Sequence, residues 1–420
     1  MSRSKLIEIF APTYGAPTMH RREFLQTLGK TGLAALVARL AVAPGRVAHA
    51  GLAAWVPSFP EGIKSGDPLP TGAVIWTRLG PPPDGHDVAV LWSVAEDAAM
   101  EQVVTGGIAW ARTDGGHHAK HRVHGLRPDR WYHYRFEVDG VASVVGRLRT
   151  APRGNAAPDH LRYAYSSCQQ RTASYYNAHR GILNDDVDFF LHLGDYVYVS
   201  DTGTLTVEDY RNVYRRFHSN PLLQELQAAV PLVAVWDDGE FYNGVDSTGP
   251  PERLANARQA WFESMPVPRR PSDRTYRTFR WGRLADFILL DTRQYRDPEV
   301  PANSSFAGVI DAQDTALPPC DQMFAPGRTT LGAPQKQWFK QNLRRQAARW
   351  RMVASSYDVG PWKIVDRDTP ELRLANPNLQ RNGGLYVSNE AWDDYQAERR
   401  EILEFILAHR VPNVVFNSGH

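Results

Sequence analysis

The pattern of hydrophobic and polar positions along the chain changes near residue 155. Before this point, short runs rich in Val, Trp and Tyr lie between Gly, Pro and Asp turns, as in GAVIWTRL, DVAVLWSVAED and RWYHYRFEVDG. Such runs predict β-strands. Their spacing is typical of an immunoglobulin- or fibronectin-like sandwich over residues 55–152. The segment TAPRGNAAPDH, residues 150–160, consists largely of small residues and prolines and predicts a linker.

After the linker, apolar strands alternate with helical patterns. The predicted strands are LRYAYSSC, DFFLHLGD, PLVAVWDD, RLADFILLDTRQ, RMVASS and PNVVFNSGH. Helices are predicted near residues 175–183 and 210–230, and in PERLANARQAWFESMP, PQKQWFKQNLRRQAARW and DDYQAERREILEFILAHR. This alternation predicts an α/β layer architecture over residues 158–420. The expected fold class is therefore mixed α/β, with the all-β domain first.

Four of the predicted strands end in side chains that can bind a metal. The first three end in Cys168, in Asp195 and in Asp237-Asp238, and the last ends in His420. Open α/β sheets hold their ligands outside the carboxyl ends of the strands. If these strands lie side by side, we expect the four strand ends to meet in one crevice, which would suit a site for two metal ions.

Asp195 is the centre of this hypothesis, because an ionised Asp at the end of an apolar strand needs a partner. A carboxylate can bridge two cations about 3.5–4 Å apart. Tyr198 could add a phenolate, and Fe(III) is the ion best suited to keep it deprotonated, since phenols ionise near pH 10. Cys168 offers a thiolate suited to iron or zinc, and Asn243 offers an amide oxygen for a harder cation. Each residue alone has an ordinary structural explanation, and only their order along alternating strands favours metal binding.

The cysteines Cys168 and Cys320 leave two alternatives open. In an oxidising compartment they could form one disulfide, whereas ligation of a metal by Cys168 would exclude that bond.

The first 50 residues predict export. Arg21-Arg22 precedes the apolar stretch GLAALVARLAVA, and Ala48-His49-Ala50 fits a small-x-small cleavage site. The twin arginines favour a Tat-type signal peptide at residues 1–50 over a Sec signal, with an amphipathic helix as the alternative. The Tat machinery is therefore an expected partner, and the expected location is periplasmic or secreted. We expect no stable membrane span. With a net charge of +2 and no long basic run, nucleic acid is not favoured as a partner.

Together these motifs resemble those of the PhoD-like alkaline phosphatases, a family of exported metallophosphoesterases. FPEGIKSGDPLPTGAVIWTRL and GRLRTAP resemble the beginning and end of the family's N-terminal domain. SSCQQ, LGDYVYV, VWDDGE, LLDTRQYRD, LGAPQKQWF and WDDYQAERREILEFI resemble successive motifs of its catalytic domain. The resemblance implies a β-sandwich followed by a calcineurin-like metallophosphoesterase α/β sandwich. It also implies hydrolysis of phosphate mono- and diesters by metal-activated hydroxide, with iron (Fe3+) and calcium (Ca2+) as cofactors.

The resemblance assigns roles to individual residues. Cys168, Asp195 and Tyr198 match the iron-binding motif, with Asp195 bridging to calcium. Asp238, more than Asp237, and also Asn243 match the region of the second metal, which makes Asp195 and Asn243 the expected catalytic residues.

The motif LLDTRQYRD contributes a second group of candidates. Family Arg and Asp positions fall on Asp291, Arg293 and Arg296. Arg293 and Arg296 are candidate phosphate-binding residues, although an arginine in such a place more often ties a loop together.

The chain departs from the family pattern at two points. The family motif WDDHE has a His where this chain has Gly239, which has no side chain to protonate or stabilise the reacting phosphate. The family's last strand ends in a Gly-Asp-x-His-like motif, whereas this chain ends Asn417-Ser418-Gly419-His420, so that His420 stands at the family Asp position. The resemblance therefore implies a catalytic domain incomplete at its C-terminus. The alternative is an impaired or non-catalytic homologue that binds phosphate esters or a partner. A Ser/His hydrolase is not favoured, because no G-x-S-x-G element is present.

Overall fold

The computed structural model describes residues 55–170, 176–199, 205–301, 310–311, 322–345, 347–366, 369–375, 384–386 and 390–420. The predicted signal peptide and Cys320 lie outside these residues. Within them we find no helix with the length and apolarity needed to cross a membrane.

The first part of the chain is all-β. Its strands are β1 Ile63–Leu69, β2 Gly72–Arg78, β3 Val88–Ala95, β4 Val103–Ala111, β5 His118–Val123, β6 Trp131–Val138, β7 Val141–Ala142 and β8 Gly146–Arg149. Strands β3, β4, β6, β7 and β8 form one antiparallel sheet, while β1, β2 and β5 belong to another. Buried side chains that include Ile75, Val90 and Tyr134 form the core of this part. The two sheets agree with the predicted sandwich architecture.

The second part alternates strands and helices as predicted. Its elements are β9 Tyr163–Ser166, α1 Asn177–Asn184, β10 Phe189–Leu193, α2 Val207–His218, α3 Pro221–Ala229, β11 Leu232–Val235, α4 Pro251–Ser264, β12 Arg277–Trp281, β13 Ala285–Leu289, β14 Ile310–Asp311, α5 Gly332–Arg344, β15 Trp350–Ser355, β16 Lys363–Asp366, α6 Pro370–Ala375, β17 Gly384–Tyr386, α7 Gln396–Ala408 and β18 Val414–Ser418. Short 3-10 turns lie at Pro271–Asp273 and Trp392–Tyr395. The mixed α/β class is confirmed.

Two sheets pack face to face in this part. The larger sheet has the strand order β5-β2-β1-β11-β10-β9, and the smaller has the order β12-β13-β15-β18. Alternate residues of a strand point to opposite faces. Phe189 and Leu191 of β10 accordingly pack between the two sheets with Phe287 of β13, whereas Phe190 packs with the helix residues on the outer face. Ile288 of β13 packs outward in the same way, among residues of α5 and α7.

The parallel strands of both sheets point their carboxyl ends to the same side. Strands β9, β10 and β11 are parallel in the larger sheet, and β13, β15 and β18 are parallel in the smaller. Side chains from the loops after β9, β13, β15 and β18 contact Asp195 or Asp237 in the loops after β10 and β11, so all six loops border one crevice, where open α/β sheets bind their ligands.

The larger sheet also joins the two parts of the chain. Strand β1 pairs antiparallel with β2 and parallel with β11, where Gly66 is the partner of Leu232. A Cβ atom at Gly66 would lie 2.4 Å from the carbonyl oxygen of Leu232, so only glycine allows this approach. The boundaries at 55–152 and 158–420 remain predictions, but the sheet continues from one part into the other.

The helical segments predicted over residues 210–230 are two separate helices. The pattern over residues 210–230 contains α2 and α3, which are separated at Asn220-Pro221. Proline is favoured at the first position of a helix and unfavourable in its interior. The Asn220 side chain caps α3 by accepting hydrogen bonds from the backbone N–H groups of Leu222 and Leu223 at 3.0 and 3.2 Å. The local sequence therefore begins a new helix here.

Candidate metal centre

The loops at the carboxyl ends of the parallel strands bring the main candidate residues together. One ligand atom from each of Asp195, Asp237, Asp238 and His420 lies within 4.8 Å of the others. The three aspartates are buried and His420 is partly buried. Carboxylates this close repel one another strongly when water is excluded. The cluster is therefore suited to hold cations.

Cys168 and Tyr198 adjoin the same cluster. The Cys168 Sγ and the Tyr198 hydroxyl lie 3.3 and 3.2 Å from one oxygen of Asp195, Oδ2. Burial and then the charge of Asp195 raise the pKa of Tyr198 far above its usual value, and burial raises the pKa of the Cys168 thiol. Both groups are therefore protonated unless a cation replaces the proton.

The thiol of Cys168 is free. It therefore keeps its capacity to bind a metal as a thiolate, while Cys320 lies outside the described residues.

Three residues at strand ends of the site have left-handed backbone. Cys168, Asp195 and His420 have φ angles of 56°, 56° and 79°. Such angles are costly for residues other than glycine and persist when the surrounding contacts enforce them. Backbone N–H groups of Cys168 and Gln169 donate to the carbonyls of Gly194 and Asp195 at 3.2 and 3.1 Å, so the loops after β9 and β10 hold each other.

The two neighbouring aspartates differ in their partners. Asp237 accepts hydrogen bonds from Ser356 Oγ at 2.8 Å and from Arg293 Nε on one oxygen, and from His420 Nδ1 at 3.0 Å on the other. Burial alone would raise the pKa of Asp237, but Arg293 and His420 lower it well below its usual range. With both oxygens bound by protein donors, Asp237 acts as an anchor for Arg293 and His420.

The negative charge of Asp238 has fewer hydrogen-bond donors and cations around it than that of Asp237. Its Oδ2 accepts the backbone N–H of Gly244 at 2.7 Å and lies 3.6 Å from Arg293 Nη2. Burial and then the charges of Asp237 and Asp195 raise its pKa to about 7, against the opposing effect of Arg293. Asp238 is therefore the better candidate for a ligand, in agreement with the preference stated from the sequence.

His420 lies between two carboxylates. Its Nδ1 faces Asp237 at 3.0 Å and its Nε2 faces Glu390 at 2.9 Å. Hydrogen bonds with these two groups raise the pKa of His420 to about 11. The imidazole could ligate a metal through either nitrogen only after one of these contacts is replaced.

Arg293 and Asn243 are the remaining candidates near the cluster. Arg293 is 1% exposed, and its guanidinium lies over the ring of Tyr357 and beside the two aspartates. Asn243 is exposed in the turn before Gly244. Its role as a ligand remains a prediction.

Arg296 and Asp291 make contacts within the loops around the site. The guanidinium of Arg296 is fully buried and donates to the carbonyls of Val245 and Glu390 at 2.9 and 3.1 Å. It also contacts Glu299. Asp291 accepts hydrogen bonds from the Trp236 and Thr275 side chains. Arg296 thus joins the loops that carry Val245 and Glu390, and its role in phosphate binding remains a prediction.

Gly239 allows two loops to touch. Its N–H donates to Asp195 Oδ1 at 3.0 Å, and a Cβ atom at this position would lie 2.7 Å from that oxygen and 2.7 Å from the carbonyl oxygen of Val197. With the backbone in this arrangement, a histidine at position 239 does not fit.

Sequence reasoning missed three residues of the site, namely Glu240, Ser356 and Glu390. Glu240 belongs to the recognised motif VWDDGE, and its position three residues after Asp237 was the available signal. Ser356 is the last residue of the predicted strand RMVASS, and its place at a strand end was the available signal. Glu390 follows no motif and approaches the site only through the loop before α7.

Comparison with known proteins identifies the class of this enzyme. Residues 163–420 match the model of the PhoD-like phosphatase family, and residues 46–152 match that of the PhoD-like phosphatase N-terminal domain. The chain belongs to the PhoD-like phosphatase family and is a phosphoric ester hydrolase, which confirms the resemblance found in the sequence.

Individual relatives agree with this assignment. Alkaline phosphatase D of Bacillus subtilis (strain 168) is 33% identical over 440 residues, which cover 96% of this chain and 71% of that protein. A solved structure described as the structure of PhoD has a TM-score of 0.75 and 32% identity, and the match covers 88% of this chain and 73% of that one.

Proposed function

We propose that this chain is a metal-dependent phosphoesterase that hydrolyses phosphate mono- and diesters, with iron (Fe3+) and calcium (Ca2+) as cofactors. The observation that carries the proposal is the cluster of ligand atoms from Asp195, Asp237, Asp238 and His420 within 4.8 Å of one another. Bound cations would relieve the mutual repulsion of the carboxylates. Membership of a phosphatase family supplies phosphate esters as the substrate class.

The donor atoms divide into two sets. Cys168, Asp195 and Tyr198 would hold iron, because thiolate and phenolate donors suit Fe(III) better than a harder cation. Asp238 and Asn243 would hold calcium through oxygen atoms, which that ion prefers. Asp195 would belong to both sets. His420 would complete the second set once a cation replaces one of its carboxylate contacts.

Bound cations would bring a water molecule close to ionisation at neutral pH and polarise the phosphoryl oxygens of the ester. The chain's own residues orient these groups. Asp195 and Asn243 would fix where the reacting groups lie, and Arg293 keeps Asp237 in place while it adds permanent positive charge beside the cluster. Positive charge at this point favours the negatively charged transition state of phosphoryl transfer.

Hydrolysis of model esters tests the proposal. The purified chain, stripped of metal and reloaded with iron and calcium, should hydrolyse bis-p-nitrophenyl phosphate and p-nitrophenyl phosphate and lose this activity on chelation. Asp195→Asn should lower kcat/KM about 100-fold or more, because it weakens the shared carboxylate. The matched control is Asp139→Asn on an exposed turn of the all-β part, which should leave kcat/KM unchanged.

A folded, metal-loaded protein that cleaves neither ester would contradict the proposal. That result would favour the non-catalytic homologue that the sequence left open.

We also propose export through the Tat pathway to the periplasm or the medium. The support is the Arg21-Arg22 pair with its apolar stretch and small-x-small site. Replacement of both arginines by lysine should keep the unprocessed chain inside a Tat-competent bacterial host. Processing and export that continue unchanged would argue against a Tat signal.

A further inference from the structure

Glu240 is a fully buried glutamate whose carboxylate is surrounded by backbone N–H groups. Its Oε2 accepts the N–H groups of Asp195 and Asp237 at 3.1 and 2.9 Å, and its Oε1 accepts that of Tyr196 at 2.8 Å. The side chain has 0% exposure. Both oxygens of the Glu240 side chain can accept hydrogen bonds, so together they satisfy all three donors.

These three N–H groups belong to two different loops. Asp195 and Tyr196 follow β10, and Asp237 follows β11. Two further contacts join the same loops, since Gly239 N–H donates to Asp195 Oδ1 at 3.0 Å and Val199 N–H donates to the Gly239 carbonyl at 3.0 Å. The Glu240 carboxylate lies where it can fix the spacing of the loops that carry the clustered aspartates.

The loops also approach too closely for ordinary side chains between them. A Cβ atom at Gly194 would lie 2.5 Å from the Cβ of Asp237. Asp195, next in the chain, has a φ of 56°, which costs energy for a residue other than glycine unless neighbouring contacts enforce it. Glu240 accepts hydrogen bonds from the backbone N–H groups of Asp195 and Tyr196.

We propose that Glu240 is a positioning residue of the metal centre, whose carboxylate holds the Asp195 and Asp237 loops at the separation that metal binding requires. It contacts backbone and neither substrate nor reacting atoms. The inference rests on the proposed function, because it concerns the same cations.

Glu240→Gln is the direct test. Glutamine keeps the size of the side chain but replaces one acceptor oxygen with an NH2 group, which would face a backbone N–H donor. Loss of such supporting contacts typically weakens a metal site about 10–100-fold. Chelator competition, performed for iron and for calcium separately, should show a loss of affinity of this size. The visible absorption band of tyrosinate bound to iron should also shift.

Glu398→Gln provides a matched control. Glu398 is 1% exposed and accepts the backbone N–H groups of Thr330 and Leu331 at 2.7 and 3.2 Å, so it resembles Glu240 but lies outside the cluster. This variant should lose thermal stability while it binds both metals with wild-type affinity. Wild-type metal affinity and an unchanged band in Glu240→Gln would overturn the inference. Absence of metal binding in the wild-type protein would instead refute the proposed function.

Hydrogen exchange keeps the inference testable if Glu240→Gln does not fold. In the metal-free wild-type protein, the backbone N–H groups of Asp195, Tyr196 and Asp237 should exchange as slowly as those inside β10, although they lie in loops. Exchange as fast as that of an open surface loop would overturn the proposed clamp.

Discussion

At the scale of single residues, charge balance separates Asp237 from Asp238. Asp237 has Arg293 and Ser356 on one oxygen and His420 on the other. Asp238 accepts the Gly244 N–H, and the guanidinium of Arg293 is 3.6 Å away. Two adjacent residues of the same type therefore have opposite pKa shifts, and the less compensated carboxylate is the one that gains most from a bound cation.

The stability of the metal-free protein should depend on pH through Asp238. Its pKa of about 7 in the folded chain exceeds the value of about 3.9 in an unfolded chain. Between these values the folded state binds more protons, so the free energy of unfolding should fall as pH rises from about 4 to about 7. Urea unfolding should therefore show a larger loss between about pH 5 and about pH 8 in the wild type than in Asp238→Asn. An identical pH dependence in both proteins would show that Asp238 does not titrate in this range.

Tyr198→Phe should remove the visible absorption band of the iron-loaded protein. The Tyr198 hydroxyl lies 3.2 Å from Asp195 Oδ2, within reach of a cation held by that carboxylate. Iron affinity should also fall, since one ligand is lost. Tyr165→Phe is the control, because Tyr165 is 53% exposed on β9. A band that persists in Tyr198→Phe would show that another group supplies the charge transfer.

At the scale of elements, the site residues lie in loops that directly follow buried strands. Strand β10 (FFLHL) is buried at all five positions, four of them apolar, and such a predominantly apolar buried run is typical of a strand inside a sheet. The sequence therefore indicated β10, β11 and β13 correctly. It did not indicate β12, whose RTFRW sequence contains three polar and two aromatic residues and depends on antiparallel pairing with β13.

Gly239→Ala should weaken the contact between the loops that follow β10 and β11. The added Cβ would lie 2.7 Å from Asp195 Oδ1 and from the Val197 carbonyl, so the backbone must move. Crowding of this kind typically costs about 1–3 kcal/mol of unfolding free energy, and metal affinity should fall with it. Gly181→Ala in α1 is the control, since no atom beyond its chain neighbours and the backbone of its own helix lies within 4 Å of the added Cβ. An unaltered unfolding free energy and metal affinity in Gly239→Ala would show that the loops separate without cost.

At the scale of the whole molecule, the all-β part and the α/β part share one sheet. Strand β1 lies beside β11, and a buried ion pair spans the junction. Both Nε and Nη2 of Arg277 on β12 donate to Asp67 on β1, at 2.9 and 2.7 Å. We infer that the all-β part supports the strand whose end carries Asp237 and Asp238.

Asp67→Asn should test this junction. The change leaves the Arg277 charge buried without its carboxylate, and breaking such a pair typically costs about 3–5 kcal/mol of unfolding free energy. Combination with Arg277→Met should restore much of the loss. Asp273→Asn is the control: Asp273 also has a positive φ, and its partner Arg269 is 54% exposed, so we expect less than about 1 kcal/mol. Equal effects of Asp67→Asn and Asp273→Asn in urea unfolding would contradict a supporting role.

By itself, the sequence determined the types of most elements and the candidate metal ligands. The periodicity of hydrophobic residues and the chemistry of side chains are local properties. The strands that end in Cys168, Asp195 and Asp237-Asp238 could therefore be recognised from the sequence. The capture of His420 between Asp237 and Glu390, and the Asp67–Arg277 junction, were decided only by the tertiary structure. These contacts join residues up to 210 positions apart, and no local pattern specifies which distant groups will meet.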